Sequence, residues 1–88
     1  MEVPAMKKYL VDVYLPAAGK HLDVFLPDSK PIGEVTRLLV NLADSLSEGV
    51  YKGTADSMLL SADTGLPYTL TDTVEEAGIR NASRLILI

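Results

Sequence analysis

The segment that most limits the fold is the run Arg84-Leu85-Ile86-Leu87-Ile88. Its aliphatic residues follow one another without a polar alternate, so a strand made of them is covered on both faces and needs neighbours on both sides. Earlier residues have to supply those neighbours. Tyr9-Leu10-Val11-Asp12-Val13-Tyr14-Leu15 places Tyr9, Val11, Val13 and Leu15 on one face and Asp12 on the other, the period-two pattern of a strand with one buried side. Pro16-Ala17-Ala18-Gly19-Lys20 reads as a turn in which Gly19 can take a positive φ, and His21-Leu22-Asp23-Val24-Phe25-Leu26 then alternates again. These two strands are expected to form a hairpin.

A single long helix follows. Pro27-Asp28-Ser29-Lys30 interrupts the second strand, and Pro31 suits a helix start, where its missing N–H has no partner to lose. Ile32, Val35, Leu38, Leu39, Leu42 and Leu46 recur at spacings of three and four, predicting one apolar stripe laid on a sheet. Gly49 is the expected left-handed residue that closes it, so the helix runs from about Pro31 to about Ser47. Met58-Leu59-Leu60-Ser61 reads as a short third strand, Ala62-Asp63-Thr64-Gly65 as a turn, and Pro67-Tyr68-Thr69 as a brief strand at a sheet edge. Asp72, three residues before Glu75, predicts a helix of one or two turns ended by Gly78, after which Asn81-Ala82-Ser83 turns the chain into the last strand.

The chain length sets what this order can build. Eighty-eight residues support one core without a deep catalytic cleft, and 48% apolar with 23% charged residues is the composition of a folded globular domain. Residues 1–6 are expected to be a flexible N-terminal segment and residues 7–88 a single domain. A net charge of −4 opposes both phosphate backbones and anionic lipid, which sets aside nucleic acid and membrane surfaces as partners. The absence of cysteine excludes disulfides and Cys-ligated metals and fits a reducing compartment. No signal-type or spanning apolar stretch occurs, so the expected location is cytoplasmic, without direct membrane insertion.

Hairpin, long helix, two short strands, helical turn and final strand together describe an α+β protein. The order is that of a β-grasp roll, a mixed sheet of four to five strands with one long helix packed across it. Punctuating residues carry a resemblance to ubiquitin-like proteins over about residues 7–88: Gly19-Lys20 in the first hairpin, Ile32 and Val35 opening the helix, Glu48-Gly49-Val50 closing it, and Thr69-Leu70-Thr71-Asp72 near the C-terminal turn. Within that superfamily the chain resembles the YukD-like (EsaB-like) accessory proteins of type VII (ESX-like) secretion systems. The resemblance lies in Leu22-Asp23-Val24-Phe25-Leu26-Pro27, in Lys30-Pro31-Ile32-Gly33-Glu34-Val35, and in Leu70 and Asp72 through Gly78-Ile79, Asn81 and Ser83-Arg84-Leu85. It implies a cytosolic accessory of an export machine. In actinobacterial versions a related domain is fused ahead of a multi-span membrane component, so the implied partner is a membrane component of the secretion complex.

Several residues invite a chemical reading. Sulfur carriers and covalent modifiers of this superfamily need a free tail ending in Gly-Gly, whereas this sequence reaches Ile88 inside a strand, so that class is the alternative reading rather than the expected one. Asp63-Thr64-Gly65 matches the aspartic-protease triplet, but no flap hairpin or shielding strands follow it, and a glycine-containing turn explains it better. His21 has no partners at metal or catalytic-relay spacing and is expected to be an exposed strand residue. Asp72, Glu75 and Glu76 read as a solvated helix start, and Asn81-Ala82-Ser83, a glycosylation triplet, reads as a turn. No enzyme activity, cofactor or metal is expected.

What remains is surface. If Leu22, Val24, Leu26, Leu85 and Leu87 face the helix, alternation sends Phe25, Ile86 and Ile88 to the other side of the sheet, joined by Leu10 and Tyr14. The ubiquitin-like resemblance puts Leu60, Ile86 and Ile88 on the positions that build ubiquitin's hydrophobic recognition patch. The candidate protein-binding patch is therefore Leu60, Ile86, Ile88, Leu10, Tyr14 and Phe25. The competing expectations are self-association of this patch and its cover by the loop from Tyr51 to Asp56.

Overall fold

A computed structural model describes residues 7–54 and 56–88. The flexible segment expected over residues 1–6 lies outside the described residues. Strand β1 (Lys8–Leu15) and strand β2 (Lys20–Pro27) pair antiparallel from Lys8 opposite Pro27 to Leu15 opposite Lys20. The expected turn joins them, with Gly19 at φ 61°, a conformation that penalises a Cβ. Helix α1 (Ile32–Leu46), strand β3 (Leu59–Ser61) and strand β4 (Arg84–Leu87) complete the order. Within the sheet the strands run β2-β1-β4-β3, with β4 parallel to β1 and antiparallel to β3. This is the α+β β-grasp arrangement, with four strands among the described residues.

The apolar C-terminal run lies inside the sheet, as its composition demands. Leu85 and Leu87 are completely buried, and the ladder continues one residue past β4. There the Ile88 N–H donates to the Met58 carbonyl at 3.0 Å, and the Met58 N–H donates to the Ile88 carbonyl at 3.1 Å. Beneath this strand pair the core gathers Val11, Val13 and Leu15 from β1, Ile32, Val35, Leu39 and Ala43 from α1, and Val74 and Ile79 from the segment before β4.

The helix lands on the sheet through a different stripe from the one hydropathy predicts. Its buried residues are Ile32, Val35, Thr36, Leu39 and Ala43, while Leu38, Leu42 and Leu46 remain 57%, 37% and 52% exposed. At about 100° per residue, Thr36 and Ala43 share the arc of Ile32 and Leu39, whereas Leu38 and Leu42 fall on its flank. Burying Thr36 is possible because its hydroxyl donates to the Ile32 carbonyl at 2.8 Å.

Pro31 is the residue just before the helix and provides no side-chain cap. Instead, the Ile32 N–H donates to the Asp72 carbonyl at 2.8 Å and the Gly33 N–H to the Leu70 carbonyl at 2.9 Å, which satisfies two of the first-turn donors that every helix leaves open. A Cβ on Gly33 would stand 3.4 Å from that Leu70 oxygen, so the close approach favours glycine there. Gly49 takes the expected positive φ, 82°, but the left-handed residue that directly follows the C-cap Ser47 is Glu48 at φ 54°, and the Gly49 N–H then reaches back to the Asp44 carbonyl at 3.0 Å.

Two further expectations are corrected. The strand at Pro67–Thr69 contracts to a single bridge, Leu60 to Pro67, because proline has no N–H with which to extend a ladder. The helix expected after Asp72 is only a set of hydrogen-bonded turns over 74–78, and its reciprocal cap sits one residue later than predicted. There the Thr73 N–H donates to the Glu76 carboxylate at 2.9 Å, and the Glu76 N–H donates to the Thr73 hydroxyl at 3.1 Å. Asp72 spends its carbonyl on the long helix instead.

Candidate protein-interaction face

Pairing register decides what the outer face of the sheet presents. His21 stands opposite Tyr14, Tyr14 beside Ile86, and Ile86 opposite Leu60, so these four residues form one row across all four strands. The next row contains Asp23, Asp12 and Arg84, and the row beyond it Phe25 and Leu10. The six candidate residues are therefore split. Tyr14, Ile86 and Leu60 are half-buried against one another, and Ile88, 48% exposed and paired with Met58, extends them. Leu10 and Phe25, 41% and 62% exposed, form a separate pair on the far side of a charged row. Alternation alone predicts the shared face and already sets Asp12 between Leu10 and Tyr14; what it does not show is the parallel register of β1 with β4, which brings Arg84 beside Asp12 and Ile86 beside Tyr14.

Two members of the charged row are paired with residues outside it. The His21 imidazole contacts both Asp12 carboxylate oxygens at 3.0 Å and stacks on Tyr14 with ring centroids 4.6 Å apart. Arg84 donates to Asp63 at 3.1 Å. His21 is thus the exposed strand residue that its sequence context predicts, held by a carboxylate and a phenol ring. The loop after the helix does not roof this face in its described part: Tyr51 is buried in the core and Gly53 lies against the Val40 side chain of α1.

The other singled-out residues have structural duties. Asp63-Thr64-Gly65 is a turn with Gly65 at φ 72°, its N–H donating to the Ser61 carbonyl at 2.8 Å. Beside it an open depression of about 320 Å³ is lined by Asp63, Tyr68, Ser83 and Arg84 among others. Burial raises the Tyr68 phenol above its ordinary value, with the Asp63 charge adding to the rise and the Ser61 hydroxyl opposing it. Glu76 is held below the usual carboxylate value chiefly by the Thr73 N–H. Asn81 accepts the Leu10 N–H at 2.9 Å through its side-chain oxygen, which explains the residue without glycosylation. Among the described residues no group of His, Asp and Glu is arranged to hold a metal ion, and no helix is long and apolar enough to cross a membrane.

The surface that sequence reasoning missed lies on the opposite side of β2. Exposed Leu38 and Leu42 of α1 and the edge of β2 enclose an apolar groove of about 130 Å³. Its signal was present in the six-residue apolar stripe, which holds more leucine than one helix face can bury.

Comparison with family models and with curated proteins returns no match. Solved structures do match. The ubiquitin-like domain of EccD5 from Mycobacterium xenopi superposes with TM-score 0.77 at 19% identity, covering 93% of each chain. A chain of the MycP5-free ESX-5 inner membrane complex gives TM-score 0.76 at 20% identity, over 92% of this chain but 20% of that one. The ubiquitin-like domain of the Mycobacterium tuberculosis type VII secretion protein EccD1 gives 0.64 at 17% identity, over 94% of this chain and 99% of that domain. At such identities the likeness establishes the ubiquitin-like fold.

Proposed function

We propose that this chain is a non-enzymatic protein-binding module, a cytosolic accessory of a type VII (ESX-like) secretion system in the manner of the YukD/EsaB-like proteins. It docks on a membrane component of that system through Tyr14, Ile86 and Leu60, extended by Ile88. The observation that carries this reading is the unbroken apolar row across β1, β4 and β3, set on the central strand of a fold shared with domains of that machinery. Half-buried aliphatic side chains on a rigid strand lose little freedom on binding, so a partner gains from covering them.

The polar depression supports a binding role rather than a catalytic one. Asp63 is engaged by Arg84, and the Tyr68 phenol, raised above its ordinary value, stays protonated and is no base near neutrality. The carrier alternative draws no support from β4, where both backbone groups of Ile88 are bonded to Met58.

The test is co-purification of the chain with the membrane components of its own secretion system. Leu60→Lys and Ile86→Lys, each checked for folding, should lower recovery at least about tenfold, since each buries a charge at the contact. Leu10→Lys, beyond the charged row, should leave it unchanged. Retained binding by both lysine variants contradicts the assignment.

A further inference from the structure

β2 is an edge strand whose outward side has no partner among the described residues. The Ala82 N–H donates to the Leu10 carbonyl and the Asp12 N–H donates to the Ser83 carbonyl, so these β1 residues turn toward β4. Tyr9, Val11 and Val13 then serve β2, opposite Leu26, Val24 and Leu22. The alternate residues His21, Asp23 and Phe25 consequently point their N–H and C=O groups away from the sheet. Immediately beneath this edge lies the apolar groove formed by Val24, Leu26, Val35, Leu38, Leu39 and Leu42, with room for one large aliphatic side chain. A row of free backbone donors and acceptors above an apolar slot is the geometry that binds an added strand.

Charge selects the occupant. Asp23 stands opposite Asp12, whose own carboxylate is taken by His21, so Asp23 is an exposed carboxylate on the open edge facing a like charge. In a two-fold pairing of β2 with its own copy, the register that satisfies His21, Asp23 and Phe25 together sets Asp23 against the same residue of the second chain, which is repulsive. A strand bearing a cation at that position is attracted instead. Its neighbours on either side, pointing to the opposite face, reach the groove.

We propose that the β2 edge and the groove between β2 and α1 form a strand-addition site for an extended segment of a protein partner, with Lys or Arg opposite Asp23 flanked by aliphatic residues. This site is separate from the Tyr14–Ile86–Leu60 row, so either assignment can fail alone.

The test uses the full chain, isotopically labelled, titrated with a short capped peptide of alternating Ile and Lys and with its Ile and Glu counterpart. The Lys peptide binds saturably, and the amides of His21, Asp23 and Phe25 shift and become protected from exchange while those of Leu60 and Ile86 do not. Leu38→Glu, in the groove wall, weakens the complex roughly tenfold or more, whereas Leu46→Glu, outside the lining, leaves it intact. Asp23→Lys reverses the preference toward the Glu peptide, an outcome independent of any effect of the helix substitutions on folding. Absence of saturable binding, equal binding of both peptides to the wild-type chain, shifts centred on Leu60 and Ile86, or a wild-type dimer that protects the β2 amides would each overturn the proposal.

Discussion

The two edges of the sheet are finished in opposite ways. On the β3 side the strand is three residues long and its outer backbone is occupied, the Ser61 N–H by the Leu66 carbonyl at 3.0 Å and the Leu59 carbonyl by the Tyr68 N–H at 3.1 Å. On the β2 side eight residues run along the rim with only Lys20 at its start, Asp23 in the middle and Pro27 at its end to discourage a neighbour. A covered edge is inert, whereas an open one above an apolar groove is a template. The same chain therefore separates a closed flank, where the short segments after β3 are stored, from a flank that can accept another strand.

Four substitutions break or sharpen that contrast. The largest effect is expected from Leu85→Ala, which empties a fully buried site in the strand beneath both flanks and should cost about 3 kcal/mol of unfolding free energy by urea denaturation. It should affect the two edges alike; selective loss of protection at β3 alone would show that the edges are not built on one core. Asp23→Val removes the like-charge pair with Asp12 and should stabilise the monomer by about 0.5 kcal/mol. By freeing the edge of its charge it should also introduce concentration-dependent association in sedimentation, and a variant that stays monomeric at all concentrations would deny that Asp23 guards the rim.

The remaining two effects are small and pH-dependent. Tyr68 lies in the cover of the β3 edge with its folded value raised above 10.0, so its contribution is complete below that pH and is lost as pH rises through the folded value. Tyr68→Phe should abolish this alkaline loss, read as the change in melting temperature across that window. Glu76 has a folded value depressed below 4.5, so its contribution is present above that pH and disappears as pH falls through the folded value. Glu76→Gln, remote from both edges, should blunt only the acid limb of the stability profile and leave the peptide affinity of β2 untouched.

The distinction between the edges was only partly legible in the sequence. Period-two alternation in Tyr9–Leu15 and in His21–Leu26, and the unbroken apolar run of Leu85–Ile88, reveal the hairpin and the central strand because one-sided and two-sided burial leave different local patterns. Gly19 and Gly49 mark the turns because their positive φ is a local requirement. The helix face was misjudged because Thr36 and Ala43 are buried without being strongly apolar, while Leu38 and Leu42 are apolar and line a groove that no segment of the described chain fills. The capping of α1 by Leu70 and Asp72 was not visible either, since a carbonyl some forty residues away leaves no mark near Pro31. The separation of Leu10 from Tyr14 by Asp12 is local to β1, but the alignment of Arg84 with Asp12 and of Ile86 with Tyr14 depends on a pairing register between β1 and β4 that no local pattern encodes.

Native-state hydrogen exchange measured residue by residue tests the architecture most directly. The amides of Leu85, Ile86, Leu87 and Ile88 should be among the slowest in the molecule, exchanging only with global unfolding, while those of His21, Asp23 and Phe25 exchange orders of magnitude faster. Rapid exchange along Arg84–Ile88, or protection of the β2 rim equal to it, would contradict both the central placement of the last strand and the open edge.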